Sequence, residues 1–484
     1  MKTTHGFSPR IEGFIDDYVK QLTAGTAALF AGAGLSRTAG FVDWVELLDR
    51  SARELGLETA RGHDLVALAQ YYANSVSRDR LNKAIVQRFA KKATLTESHK
   101  ILARLPIMDW WTTNYDCMLE TALQNANRVI DVKEKPRDMA RAWPRRDAIV
   151  YKMHGDVRSP TDAILQTSQY ESYAATHQAF VTALQGDLTT KTFLFVGFSF
   201  ADPNLTHILA QLPYKGEREH YFFVKKASLK DFKKDGAKAD EAYGYARALQ
   251  DLRNADLKRY GITALEIDGF EQIPLILGEI ERRYRRRTVF ISGSAEEFAP
   301  WGREKAQTFL SNLSSALVRE RFRVFTGFGI GVGTPVINGA LKEIYGSPAV
   351  CSSDQLVMRP FPQTDPADPA TVVLWREYRQ KTLGECGVAI FVFGNKAGPR
   401  KGKTVDATGM QEEFEIALDA GVIPVPIRAT GSMAGRFASA LKRQSALSRN
   451  APPAHSEVLK TLWDATEPDD IITAIVAFMN DIND

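Results

Sequence analysis

"ALFAGAGLSRTAG", residues Ala28–Gly40, is a short apolar run that breaks into closely spaced glycines and then a hydroxyl residue. A buried strand that hands over to a helix around a phosphate-bearing ligand has this texture, because glycine lets backbone approach the phosphate and the helix N-terminus faces it. Gly32 and Gly34 flank Ala33, and Ser36 follows two residues later. The full G-x-G-x-x-G fingerprint is not met, since Arg37 stands where the third glycine would fall. By itself the loop is compatible with a redox dinucleotide site, with another use of the same dinucleotide, or with a tight turn.

Working outward, short apolar runs alternate with longer amphipathic stretches, the pattern of a parallel α/β sheet. Strands are predicted at Ala27–Ala31, Asp109–Thr113, Ala148–Met153, Thr192–Phe198, Tyr221–Lys225 and Thr263–Ile267, with helices at Asp43–Leu55 and Asp64–Tyr72. Four of these strands run into "GAGLS", "TTNYD", "MHGD" and "GFSFADPN". Ligands bind along the carboxyl edge of an open parallel sheet, so four polar exits on one edge predict one pocket. Near residue 284 the texture changes at "ERRYRRR" (Glu281–Arg287), which reads as a solvated helix end and a boundary. Five more buried strands follow, in "TVFISGSA", "FRVFTGFGIGVG", "QLVMRPFP", "GVAIFVFGNK" and "GVIPVPIRATG". The segments 363–370 and 397–408 read as loops. The chain closes on an amphipathic helix with Asp469 and Asp470 at its start and Ile471, Ile475, Phe478 and Ile482 on one face.

The bulk figures fit this division. A chain of 484 residues exceeds one ordinary core. Its 44% hydrophobic and 25% charged residues are those of a globular protein rather than a disordered or fibrous one. Lys and Arg exceed Asp and Glu by 62 − 58 = 4, too small a surplus to predict a nucleic-acid partner. No apolar run approaches the ~18 residues of a membrane span, and "MKTTHGFSPR" lacks the apolar core of a secretory signal. Cys117, Cys351 and Cys386 are far apart and odd in number, so neither a disulfide framework nor a cysteine metal knuckle is expected. These features predict a cytoplasmic protein without a metal.

The chemistry-bearing residues sit at the strand exits. Asn114 and Asp116, two apart beyond a strand, can point the same way. His154 precedes Gly155 and carries the side chain best matched to proton transfer near neutral pH. The order of the exits resembles the sirtuin family of NAD-consuming enzymes, which carry G-A-G-x-S, G-x-x-D-F, N-x-D, H-G and G-x-S. Here these read Gly32-Ala33-Gly34-Leu35-Ser36, Gly40-Phe41-Val42-Asp43-Trp44, Asn114-Tyr115-Asp116, His154-Gly155 and Gly197-Phe198-Ser199. Two departures stand out: the cysteines for the four-cysteine zinc module of sirtuin deacylases are absent, and Val45 replaces the Arg that follows D-F. The resemblance implies a sirtuin-like domain over 1–283 with NAD+ as substrate. Asn114 would hold the water and the nicotinamide ribose, and His154 would act as base on the water or on a ribose hydroxyl. Asp116 would support the nicotinamide end or cap its turn. Gly34 and Ser36 would meet the pyrophosphate through backbone N–H groups and a hydroxyl, Gly197 and Ser199 would serve the adenosine half, and Ala33, Asp43 and Asn204 would be further NAD+-binding residues. Without a peptide cleft, hydrolysis of the nicotinamide–ribose bond is the simplest reaction. Protein deacylation and a purely sensory role are the alternatives.

In the second half, "SGSA" (Ser292–Ala295), "GFGIGVG" (Gly327–Gly333) and "GMQEEFEIA" (Gly409–Ala417) together resemble a SLOG domain, a Rossmann-like nucleotide-derivative sensor, here over 284–484. The catalytic P-G-G-x-G-T-x-x-E of its enzymatic relatives is not present, which favours binding over a second hydrolysis. The whole arrangement resembles the Thoeris antiphage effectors. That resemblance implies NAD+ destruction switched on by a cyclic ADP-ribose isomer, which a TIR-domain partner makes, and a homo-oligomer, a tetramer. It carries over Arg379 and Glu413 as ligand contacts, with Gly293, Ser294 and Lys396 beside them. Arg pairs bidentately with a pyrophosphate, and a carboxylate accepts from ribose hydroxyls.

Overall fold

The computed structural model describes residues 6–57, 64–90, 93–200, 202–212, 218–361, 369–400, 402–444 and 455–483. Most of the segment 363–370, and Lys215–Glu217 of a side loop that could gate the first site, lie outside them. The chain forms two compact units, Met1–Glu281 and Arg282–Asp484.

The first unit is built on seven strands: β1 (Ala27–Ala31), β2 (Asp109–Thr112), β3 (Ile130–Lys133), β4 (Ala148–Lys152), β5 (Thr192–Val196), β6 (His220–Lys225) and β7 (Ile262–Ile267). Their order is β3-β4-β2-β1-β5-β6-β7, with every pairing parallel. β1 and β5 are buried along their whole length, as a sheet covered on both faces requires. Phe30, Trp111, Phe193 and Phe195 pack beneath Phe180, Leu184 and Leu188 of the helix Gln178–Thr190. A separate helical cluster of Phe41, Leu48, Tyr72, Ile85, Phe89 and Tyr115 flanks the exits of β1 and β2. The chain leaves β1 toward β2 on one side and returns to β5 on the other, so β1 lies at the switch point where α/β sheets hold ligands.

β3 has no counterpart among the strands read from sequence. It is four residues long at a sheet edge, and two of them are charged, Asp131 and Lys133, which are buried and paired at 2.9 Å.

The second unit has a five-stranded parallel sheet of β8 (Thr288–Ser294), β9 (Arg323–Thr326), β10 (Leu356–Met358), β11 (Val388–Phe393) and β14 (Ile423–Pro426), in the order β10-β9-β8-β11-β14. The glycine- and lysine-rich stretch after β11, expected as plain loop, contains an antiparallel hairpin of β12 (Asn395–Ala397) and β13 (Thr404–Asp406). The final helix, Pro468–Asp481, buries Ile471, Ile475 and Phe478 as its periodicity predicts, with Met479 beside them, and Ile482, the fourth expected position, is buried just past its end. The "ERRYRRR" run corrects the expectation of a solvated end. It continues the helix Gln272–Arg286, and none of residues 281–287 is exposed. Arg286 is buried with its guanidinium on the carbonyl of Ile482 at 2.8 Å, and Glu281 pairs with Arg104 at 2.7 Å. Their charges are spent on fixed partners, which leaves the run poorly suited to bind an external polyanion.

Candidate active site

The glycines of the opening motif serve loop-to-loop contact first. A Cβ on Gly34 would lie 2.8 Å from the Cα of Gly197, and one on Gly197 would lie 2.1 Å from the nitrogen of Leu35. Gly197 also has φ +66°, a left-handed conformation that favours glycine. The exits of β1 and β5 are therefore pressed together at a point where only hydrogen fits. The N–H of Gly34 donates to the carbonyl of Gly197 at 2.9 Å. This corrects the expectation that Gly34 offers that N–H to a phosphate.

Asn114 leaves β2 and turns back to the same loop. Its Nδ2 donates to the carbonyl of Gly32 at 3.0 Å and to Ser36 Oγ at 3.1 Å, and its own N–H is held by Thr112 Oγ1 at 3.0 Å. The amide is thus oriented by its donors, while Oδ1 accepts no hydrogen bond among the described residues and is left for a ligand. Thr112 pairs in register with Lys152, so Asn114 and His154, each two residues on, leave neighbouring strands at the same level.

His154 is 1% exposed. Its Nε2 lies 3.2 Å from Asp202 Oδ2, and neither ring nitrogen has an aligned hydrogen-bond partner. The ring packs edge-to-face with Tyr170, centroids 5.5 Å apart, and at 6.5 Å from Trp44. Burial pulls its pKa below the usual imidazole value, with the Asp202 carboxylate opposing. A buried imidazole with neither nitrogen in an aligned hydrogen bond is an unusual thing for a fold to keep, since an unpaired buried polar group costs about 1–3 kcal/mol. Gly155 follows with φ +85°, and a Cβ there would sit 3.2 Å from Ala163.

The other expected residues divide. Ser36 is buried and joined to Asn114. Asp116 caps its turn through Oδ1 to the N–H of Met118 at 2.9 Å, while its buried Oδ2 has no partner. Asp43 caps the helix Trp44–Glu54 and pairs with Arg37 at 3.1 Å, an ordinary local role. Asn204 is buried with Nδ2 unbonded, and Ser199 is exposed. Sequence reasoning missed Asp202, Tyr170 and Trp44 as neighbours of His154. Only Asp202, in "ADPN", carried a signal, and that signal reads equally well as a helix cap.

Beneath the site lies a buried ion cluster. Lys152 is 0% exposed; its ammonium contacts Glu120 Oε1 at 3.0 Å, Asp156 Oδ2, and the backbone carbonyls of Asp116 and Tyr115. Cys117, Glu120 and Asp156 hold donor atoms within 4.8 Å of one another, and the Lys152 ammonium supplies the positive charge among them. It ties the N-Y-D exit to the H-G-D exit. The Cys117 thiol is pushed up to about 12 by burial.

In the second unit, Arg379 is 10% exposed, with Nη1 on Glu412 Oε2 at 2.6 Å, Nε 3.5 Å from Glu413 Oε1, and its plane 4.3 Å from the Phe361 ring. Gly409 lets it lie close, since a Cβ there would be 2.6 Å from Nη2. Glu413 accepts from Ser292 Oγ at 2.6 Å, and burial raises its carboxyl pKa. Gly293 lies against the next loop, where a Cβ on Gly329 would be 1.8 Å from its carbonyl oxygen. Ser294 Oγ donates to the carbonyl of Asn395, whose amide fastens Glu296 and Glu297. Arg379, Glu413 and Ser292 therefore form one group at the exit of β8. Lys396 stands apart, exposed on β12. Glu412 and Phe361 were not expected.

Residues 110–246 match the SIR2-like domain family, and residues 272–482 match the Sir2- and TIR-associating SLOG family. The fold and both clefts thus define a SIR2-like domain joined to a SLOG domain. The chain is 43% identical to the NAD(+) hydrolase ThsA of Bacillus cereus (strain MSX-D12) over 432 residues, 88% of each chain. It is 42% identical to the protein of that name from Acinetobacter baumannii (strain 532279), over 86% of this chain and 87% of the relative. With that of Enterococcus faecium it shares 37% identity over 97% and 98%. The chain belongs to the ThsA family of NAD(+) hydrolases.

Proposed function

We propose that this chain hydrolyses NAD+ to nicotinamide and ADP-ribose in its SIR2-like domain, residues 1–283, and is switched on by a cyclic ADP-ribose isomer bound in its SLOG domain, residues 284–484. The observation that carries the reading is His154, buried with neither ring nitrogen hydrogen-bonded, at the same level as Asn114 on the neighbouring strand. Cleavage of the nicotinamide–ribose bond develops positive charge at C1′, as glycoside cleavage does. It calls for a held ribose, a placed water and a base. Asn114 Oδ1 orients the water or ribose, and His154 takes the proton. Gly32, Gly34 and Gly197, packed on one another, hold together the two loops beside which the dinucleotide lies, with Ala33, Ser36, Asp116, Ser199 and Asn204 around it. Asp43 acts at one remove, by capping the helix that carries Trp44.

In the SLOG domain, Arg379 meets the ligand phosphates and Glu413 its ribose hydroxyls, with Gly293 and Ser294 at the strand exit and Lys396, exposed on the hairpin, adding an outer contact. The enzyme works without a metal, as a cytoplasmic homotetramer, and depletes NAD+ in antiphage defence when a TIR-domain partner supplies the signal. The family that matches residues 272–482 is described as TIR-associating, which supports that partner. Among the described residues no helix is long and apolar enough to cross a membrane.

The test is nicotinamide release from NAD+ by the full chain, alone and with each cyclic ADP-ribose isomer, beside His154→Ala. A low rate that rises with one isomer and vanishes in the variant supports the reading. No nicotinamide under any condition overturns it.

A further inference from the structure

Asp202 has two duties on its two oxygens. Oδ1 accepts from the N–H of Leu205 at 2.9 Å and so caps the helix Pro203–Ala210. Oδ2 faces inward, 3.2 Å from His154 Nε2, and accepts from the Tyr170 hydroxyl at 3.3 Å. A helix cap needs only one oxygen, and Asn or Ser caps as well as Asp. The second oxygen is therefore free to serve the imidazole, and the cap itself does not require a carboxylate. The groups around the ring are Asp202 from the helix start, Tyr170 from the helix Thr167–Glu171, and Trp44 from the helix Trp44–Glu54. His177 is near enough that its own affinity for a proton, lowered first by burial, is lowered further by His154. Asp202 is the carboxylate in contact with the ring.

We propose that Asp202 is the positioning residue of the hydrolytic site: it takes Nε2–H of His154, fixes that tautomer and leaves Nδ1 as the basic nitrogen. The inference rests on the NAD+ hydrolase reading. In the step itself, the water oxygen bonds to C1′ and the C1′–N bond breaks with its electron pair going to nicotinamide. The water proton passes to Nδ1 and then to solvent, giving nicotinamide, ADP-ribose and H+. The imidazolium formed on the way lies against the Asp202 carboxylate, and Tyr170 holds that carboxylate in place. A carboxylate that orients and steadies an imidazole in this manner acts through the histidine and not on the substrate.

The experiment measures kcat and KM for nicotinamide release by full-length wild type, Asp202→Asn, Asp202→Ser, Tyr170→Phe and His154→Ala, from about pH 5 to about pH 9, the span in which histidine titrates. Each is assayed with the cyclic ADP-ribose isomer giving the highest wild-type rate, or with NAD+ alone if none raises it. Both Asp202 variants keep the cap, so their melting temperatures stay at the wild-type value. We expect kcat to fall about 10- to 100-fold with KM within about threefold, less than the about 10²–10⁴-fold of a general base itself because the imidazole stays in place. The acid limb of kcat moves to lower pH, because the charge that favours imidazolium is gone. Tyr170→Phe shifts both readouts in the same direction by less. A lower kcat with an unmoved acid limb means a structural role and overturns the inference. An unchanged or higher kcat also overturns it, the latter by showing that Asp202 obstructs the base. Wild type as inactive as His154→Ala instead brings down the hydrolase reading, and this inference with it.

Discussion

The two clefts share a backbone plan and differ in how their polar groups are used. In each, glycine on one strand exit is pressed against the backbone of another, Gly34 on Gly197 in the first and Gly329 on Gly293 in the second. Around the first, buried polar atoms are left unbonded: Nδ1 of His154, Oδ2 of Asp116 and Nδ2 of Asn204, with Nε2 of His154 3.2 Å from Asp202 but not aligned on it. Around the second, the charges are turned on each other, with Arg379 against Glu412 and Glu413, and Glu413 on Ser292. Unspent atoms suit a site that must act on a substrate as it arrives. A self-paired ion group suits a site whose ligand has to displace existing contacts, which gives two states of comparable energy for a signal to choose between.

The largest effect should come from the unspent atoms. His154→Ala and Asn114→Ala should each lower nicotinamide release by about 10²–10³-fold or more, while Arg379→Ala should remove stimulation by the cyclic isomer. If Arg379→Ala matched His154→Ala with no activator present, the division of labour between the clefts would fall. Lys152→Met takes the buried ammonium from Glu120 and Asp156 and leaves only the half-exposed Arg158 beside them, and should cost up to about 3–5 kcal/mol of stability in a denaturant titration. The equivalent break in the second unit, Glu412→Gln, removes a charge from a half-buried pair and should cost under about 1 kcal/mol.

Acid should also separate the units. Seven of the eight histidines lie in the first, and His154 is only one of several whose affinity for a proton burial lowers there. Burial lowers both His99 and His220 to about 4 from the model-compound value of 6.5. A base with a depressed folded pKa binds fewer protons than its unfolded form. Its stability contribution is present above pH 6.5 and is lost as pH falls from there to about 4. Each can account for up to about 3 kcal/mol over that window. Hydrogen exchange followed through the window should show the first unit opening first, and equal loosening of both units would contradict the assignment. Gly197→Ala should cost about 2–3 kcal/mol through its clash and its positive φ, read as a lowered melting temperature. The smallest effect belongs to Gly186→Ala, in a helix with nothing within 4 Å of the added carbon, which should stabilise by about 0.5–1 kcal/mol.

Legibility followed local periodicity. β1 and β5 read plainly because they are unbroken apolar runs, and the last helix because its four apolar positions repeat at helical spacing. β3 did not, because two of its four residues are charged and become buried only when they pair with each other. The β12–β13 hairpin was obscured by glycine and lysine. The arginines of "ERRYRRR" looked solvated because their partners, Ile482 for Arg286 among them, are far off in sequence.

For the site, the order of the motifs led to Asn114 and His154, each just past a strand, whereas Arg379 came from the family resemblance and lies within the helix Pro369–Gly384. What only the tertiary structure decided is what each of them touches. Asp202 is 48 residues from His154 in sequence, and its local role as a cap hides its second oxygen. The same holds for the Gly34 N–H, taken by Gly197, and for Glu412 on Arg379. The sequence by itself determined the two parallel sheets, the exits and their side chains, because strand burial and glycine turns are imposed within a few residues. Charge pairing and proton affinity came from the fold, because they depend on burial and on neighbours that distant segments bring to within 4 Å.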